Sequence, residues 1–226
     1  MKRPISDIAF TPSVKLAQEE RGSRENYQRM EQRGGWQQEV THELAAFIGE
    51  RDSFYLGTAS ADGQPYIQHR GGAKGFLKVI DERTLGFSDF VGNAQYISVG
   101  NLDENNKAFI FLMDYPNRRR IKIWGTSEIV EGDASLVQQL TDHNYQGKPQ
   151  RAVLFHVEAW DVNCPQHITP RWTEDEFGPI VETLKARVEE LELENQRLRD
   201  RFDHPLISSP GFLQGNSNAS ARSATS

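Results

Sequence analysis

Between Ser53 and Asn163 the chain breaks into short β-rich runs separated by turn signals, and this rhythm restricts the possible folds most. The runs are SFYLGTA (53–59), PYIQHR (65–70), GFLKVID (75–81), TLGF (84–87), KAFIFLM (107–113), RRRIKIWGTSEIV (118–130) and RAVLFHVEAWDV (151–162). About seven strands so closely spaced predict a barrel rather than a parallel sheet, whose crossovers need a dozen or more residues. Asp62-Gly63 predicts a tight hairpin between the first two runs, because both residues can take positive φ. Helical insertions are expected over Asn93 to Asn101 and Ala134 to Asp142, and Trp124, Trp160 and Phe111 are expected in the core.

The flanks read as helical. Residues 1–50 form an N-terminal arm, in which Trp36 to Arg51 places Val40, Leu44, Phe47 and Ile48 on one helical face. The barrel should occupy 51–171, a C-terminal helix 172–203, and a flexible tail 204–226. That tail holds six Ser, two Gly, two Asn and two Pro after His204, with no acid. Thr173 and Glu176 form a possible capping box with a Trp172–Phe177 staple. Gly178-Pro179 should interrupt that turn, leaving Pro179 as the first residue of a longer helix.

Within this helix Val181, Leu184, Val188, Leu191, Asn195, Leu198 and Phe202 alternate by 3 and 4. Residues 181, 188, 195 and 202 are then a positions, and 184, 191 and 198 are d positions. Val at a with Leu at d favours two parallel strands, and a single Asn at a specifies register. Arg187 and Glu194 at g would face Glu192 and Arg199 at e of a second copy, both pairs opposite in sign. A helix laid on its own barrel satisfies the same stripe.

Lys+Arg total 26 against 32 Asp+Glu, a net charge of −6, which argues against nucleic acid or an anionic membrane as partner. The longest apolar run, Ala108 to Met113, is far below a bilayer span. No secretory signal is readable, and the lone cysteine, Cys164, excludes an internal disulfide, so a cytoplasmic protein is expected. No nucleophile elbow, phosphate loop or zinc-type His/Cys grouping is present. Cys164 with His167 could be drawn as a thiol–imidazole pair, but burial is the commoner fate of such a cysteine.

Cations stand out within the strands. By alternation Gln68 and Arg70 share a face, as do Lys74, Phe76 and Lys78, and as do Arg118, Arg120, Lys122 and Trp124. These charges could converge on a dianion such as a phosphate, or simply form a solvated strand face.

Four segments, QHRGGAKGFLKVID (68–81), LGFSDFVGNAQYISVGNL (85–102), AFIFLMDYPNRRRIKIWG (108–125) and AWDVNCPQHITPR (159–171), together resemble the FMN-binding split barrels related to pyridoxamine 5′-phosphate oxidase. The resemblance implies a mainly β fold, a six-stranded antiparallel split barrel with flanking helices. It also implies a homodimer with FMN in clefts at the subunit interface. By position it implies that Gln68, His69, Arg70 and Lys78 line the flavin and its phosphate, with Ser88 and Asp89 on the next strand's edge. Asn93 and Gln95 would begin a phosphate-contacting helix, Arg120 and Lys122 would reach the cofactor, and Gln166 and His167 would lie near the flavin ring. The substrate-gripping Arg-x-His ending of the true oxidases is missing, since Arg171 is followed by Trp172-Thr173-Glu174; their vitamin-pathway activity is therefore not carried over. The reading is an FMN-dependent oxidoreductase acting on a small molecule, with no catalytic residue named and no metal. The alternatives are a non-catalytic flavin-binding or redox-sensing protein, or a split barrel holding haem or a deazaflavin.

Overall fold

The structure, a computed structural model, describes residues 3–203. After a 3₁₀ turn at Ile5–Ile8 come α1 (Pro12–Glu20), α2 (Arg24–Gln32) and α3 (His42–Gly49). The strands are β1 (Ser53–Ala59), β2 (Pro65–Gly71), β3 (Lys78–Val79) and β4 (Thr84–Phe90), then, after α4 (Ile97–Glu104), β5 (Lys107–Asp114) and β6 (Arg119–Val130). Helix α5 (Ala134–Leu140) precedes β7 (Pro149–Asn163), and α6 (Glu174–Asp203) follows. The chain divides into two units between Arg171 and Trp172.

The first unit is an antiparallel sheet in the order β2-β1-β5-β6-β7-β4-β3, flanked by helices, which is the architecture of a split barrel. Seven strands are present, as the rhythm of the runs predicted, where the family resemblance implied six; one of them, β3, is two residues long. Alternate residues of the long strands face one core: Phe54 and Leu56, Ile110 and Leu112, Ile121 and Ile123, Val153 and Phe155. Helix α3 adds Leu44, Phe47 and Ile48 to it. Trp160 is buried there as expected, whereas Trp124 and Phe111 point to the other face and are only half-buried.

Several local expectations are corrected. The first hairpin is not a two-residue turn. Gly63 alone has positive φ (+90°), Gly63 N–H bonds Ser60 O at 3.0 Å and Ser60 N–H bonds Gln64 O at 3.1 Å. That pattern is a three-residue loop with its glycine in the left-handed region. The strand expected over 75–81 shrinks to β3 because Gly75 (φ +73°) turns the chain and Phe76 and Leu77 dive into the core. The helix expected from Trp36 starts only after Thr41, whose hydroxyl accepts from Leu44 N–H. Gln37 and Trp160 instead exchange backbone bonds of 3.2 and 2.8 Å, and the Trp36 ring stacks on Trp124 at 4.5 Å.

Helix α6 also runs further than expected. Thr173 and Glu176 close the capping box, with Thr173 N–H to Glu176 Oε2 at 2.9 Å. The helix then passes straight through Gly178-Pro179. In the second turn Pro179 forfeits one backbone bond, to the carbonyl four residues earlier, and Thr183 donates to its carbonyl at 2.8 Å. None of the thirty residues of α6 is buried. The Ser-rich stretch 204–226 lies outside the described residues. No helix among those described is long and apolar enough to cross a membrane.

Candidate functional site

Strands β2 and β4 are not hydrogen-bonded to each other, and a cleft of about 260 Å³ opens between them. Tyr66, Gln68 and Arg70, alternate residues of β2, form one wall; Asp89 and Phe90 of β4 and Gln150 of β7 contribute to the other. The loop 91–96 and the first turn of α4 close the end.

Side chains do the bridging. Arg70 Nη1 bonds Asp89 Oδ1 at 2.5 Å, and Ser98 Oγ of α4 donates to Gln68 Oε1 at 2.7 Å. Asp89 Oδ2 lies 3.6 Å from Nε of Arg151, whose Nη1 donates to Glu131 at 2.6 Å. The Nε groups of Arg70 and Arg151 are buried and have no hydrogen-bond partner, two donors left over in a place where such groups are normally satisfied.

The loop is strained as well as polar. Ala94 and Tyr96 are non-glycine residues at φ +57° and +54°, a conformation that collects at ligand clamps. Asn93 Oδ1 accepts from Gln95 N–H at 3.2 Å, an Asx turn that holds the bend. Tyr96 caps α4 without a side-chain bond, so no cap residue claims the helix's first N–H groups. Free N–H groups at a helix start and unpartnered guanidinium donors suit an oxyanion.

A family model described as pyridoxamine 5′-phosphate oxidase matches residues 40–164, over half of the 226. The chain belongs to the pyridoxamine 5′-phosphate oxidase family. No curated protein matches it. Among solved structures it is similar to HupZ of Group A Streptococcus, at 21% identity and TM-score 0.46 over 59% of this chain and 99% of that one. An FMN-binding protein of Syntrophomonas wolfei subsp. wolfei gives 13% and 0.45 over 65% and 97%. HutZ, the haem storage protein of Vibrio cholerae, gives 15% and 0.37 over 54% and 94%. Scores below 0.5 mark a likeness too loose to carry a ligand across.

In this member of the pyridoxamine 5′-phosphate oxidase family, Gln68, Arg70, Asp89, Asn93 and Gln95 all line this cleft. Asn93 and Gln95 do so from the loop, because α4 begins later, at Ile97. The other seven residues expected at the site stand elsewhere, and alternation explains two of them. His69 lies between Gln68 and Arg70 and so faces the opposite side of β2, its ring edge-on to Tyr55 at 5.6 Å. Ser88 faces α5, accepting from Thr141 Oγ1 at 3.0 Å, while Asp89 takes the cleft. Lys78 borders a separate groove with Gln138 and His143. Lys122 pairs with Asp161 at 3.0 Å and sits 5.3 and 5.2 Å from the Trp36 and Trp124 rings. Arg120 faces Asn163, whose amide, turned to accept, receives Nε and Nη2 at 2.7 and 2.8 Å. Gln166 and His167 are exposed in the turn after β7, with His167 at φ +62°. Cys164 is exposed rather than buried. Among the described residues no group of three or more His, Cys, Asp or Glu could hold a metal.

The outer face of the sheet carries a second polar group. The neighbouring Tyr55 hydroxyl holds the Tyr115 hydroxyl above the usual phenol range; burial adds to this, and nearby Arg171 opposes it. The Arg171 guanidinium lies 5.0 Å from the Tyr115 ring. Around this group Ile67 is 69% exposed, and Phe109 and Phe111 remain half-covered.

Tyr66 was legible from the alternation that places Gln68 and Arg70. Arg151 was not: it stands at a strand start with no local signal, and only the pairing of Asp89 with Arg151 across β4 and β7 brings it to the site.

Proposed function

We propose that this protein is a cytoplasmic FMN-dependent oxidoreductase that works as a homodimer on a small organic substrate. The observation that carries the reading is the buried, unpartnered Nε donor of Arg70 in the cleft wall, together with the uncapped first N–H groups of α4. These donors suit a phosphate monoester. A cleft of about 260 Å³ falls below the roughly 300–1,000 Å³ that encloses a drug-sized ligand. It has room for a phosphate and sugar-like chain while the flat ring lies outside, against a second subunit.

In this reading Arg70 and the α4 N–H groups hold the phosphate, while Gln68, Asn93 and Gln95 offer hydrogen bonds to the hydroxylated chain. Bound FMN supplies two-electron redox chemistry. The apolar outer face around Ile67 and Phe111 would seal against the second copy and exclude water. The α6 helices would pair in parallel through Val181, Leu184, Val188, Leu191, Asn195 and Leu198, which lie unburied along one stripe. A haem reading has less support, since no His, Cys or Met lines the cleft as axial ligand.

The deciding experiment is a visible absorption spectrum of the purified protein, with mass spectrometry of the compound released by acid. About one FMN per chain supports the proposal, and a colourless protein that also refuses added FMN overturns it. Steady turnover with a nicotinamide donor separates an enzyme from a flavin store.

A further inference from the structure

The cleft poses an electrostatic problem. Its lining has one guanidinium, Arg70, and one carboxylate, Asp89, joined at 2.5 Å. Such a pair is neutral, and a dianion entering the cleft would meet Asp89 as readily as Arg70. Arg151 resolves this from behind the wall. It does not line the cleft, although its neighbour Gln150 does. Its side chain is 6% exposed, with Nε 3.6 Å from the second oxygen of Asp89. The carboxylate thus lies between two guanidiniums, and the buried triad Arg70–Asp89–Arg151 has a net charge of +1. Glu131, the other partner of Arg151, is 67% exposed, so solvent screens much of its charge.

Arg151 has a second link to the site. Its guanidinium lies 5.2 Å from the ring of Tyr96, the residue at φ +54° from which α4 begins. One buried cation therefore offsets the acid in the wall and braces the residue that presents the helix start.

Building on the FMN reading, we propose that Arg151 is the specificity-determining residue of the cleft, a positioning residue that makes the site select a phosphate monoester over the same molecule without its phosphate. It acts through Asp89 and Tyr96 and does not itself touch the ligand.

The test compares FMN and riboflavin binding, by quenching of flavin fluorescence, in the full-length wild type, Arg151→Gln, Arg151→Lys and Glu131→Gln. Inorganic phosphate is titrated in parallel by its effect on the melting temperature. The wild type should prefer FMN. Arg151→Gln should lose roughly tenfold or more of that preference, the scale of one charge interaction near a protein surface, with riboflavin binding unchanged. Arg151→Lys should keep most of the preference, and Glu131→Gln should keep or increase it. Equal loss of both flavins in Arg151→Gln would overturn the proposal, as would a Lys variant no better than the Gln variant, because either marks a structural role.

The failure of the FMN reading would look different. If the wild type binds neither flavin, yet phosphate raises the melting temperature of wild type and Arg151→Lys but not Arg151→Gln, the flavin is wrong and the role of Arg151 stands. If phosphate moves none of them, Arg151 selects no phosphate and this proposal falls too.

Discussion

Arg70 on β2 and Asp89 on β4, nineteen residues apart in the chain, meet at 2.5 Å across a gap that no backbone hydrogen bond spans. The sheet stays open at that point, and this ion pair, the Gln68–Ser98 bond and α4 hold its sides together. Both side chains are mostly buried, and the two removals differ in what they leave behind. Asp89→Ala leaves two guanidiniums without their shared carboxylate and should cost about 3 kcal/mol in urea denaturation. Arg70→Ala should cost less, since Asp89 keeps Arg151, but should empty the protein of FMN. Normal flavin content in purified Arg70→Ala would remove Arg70 from the phosphate site.

Gly125 marks the irregularity between β6 and β7, where the pairing register shifts after Trp124. A Cβ built there falls 2.0 Å from the His156 carbonyl oxygen, a backbone atom that cannot swing away. Gly125→Ala should therefore destabilise the protein by more than about 3 kcal/mol, or abolish soluble expression. A melting temperature within a few degrees of wild type would mean that the two strands can separate at low cost.

The pairing proposed for α6 makes a prediction about order. Truncation after Arg171 should weaken the dimer in sedimentation equilibrium. Asn195→Val should leave it at least as tight but mix dimers with higher oligomers, because the buried polar residue that restricts strand number is gone. A truncated chain that dimerises with full affinity would place the whole interface elsewhere.

Asp7 responds to pH. The Lys15 ammonium bonded to it, assisted by Arg3, holds its carboxyl below the ordinary value of 3.8 against the opposing effect of burial. Its folded pKa lies under its unfolded one, so the stability it adds is complete above the unfolded value. That contribution is lost as pH falls below 3.8 through the folded value. The Phe10 ring lies 5.2 Å from Trp36, which makes tryptophan fluorescence a reporter on this end of the chain. Acid titration should loosen the N-terminal segment below about pH 4. Asp7→Asn should abolish that step and cost about 1 kcal/mol at neutral pH.

The barrel was legible in the sequence because its strands alternate so plainly: β1 and β5 bury every second residue. Gln68 and Arg70 came with that alternation, whereas His69, which the family resemblance had grouped with them, stands on the opposite side of β2 beside Tyr55. What stayed hidden depended on partners distant in sequence. Trp36 looked like part of a helix until its backbone neighbour Gln37 paired with Trp160, more than 120 residues on. Arg151 carried no local mark because its role comes from Asp89 and Tyr96 on other elements. Pro179 misled for a local reason, since a proline in an early helical turn loses a single backbone bond and the capping box beside it holds the start.

The open seam has a consequence for the protein's life in the cell. A ligand wedged between β2 and β4 would be a stretch of the barrel's own wall, bonded where the neighbouring backbone is missing. Folding and loading then become linked, because every molecule of ligand bound withdraws one chain from the pool that can unzip along that line. The unloaded chain, held there by a few side chains, would be the form that proteases find first. The amount of this protein present at any moment would then report the supply of the small molecule it holds, even with no change in the rate at which it is made.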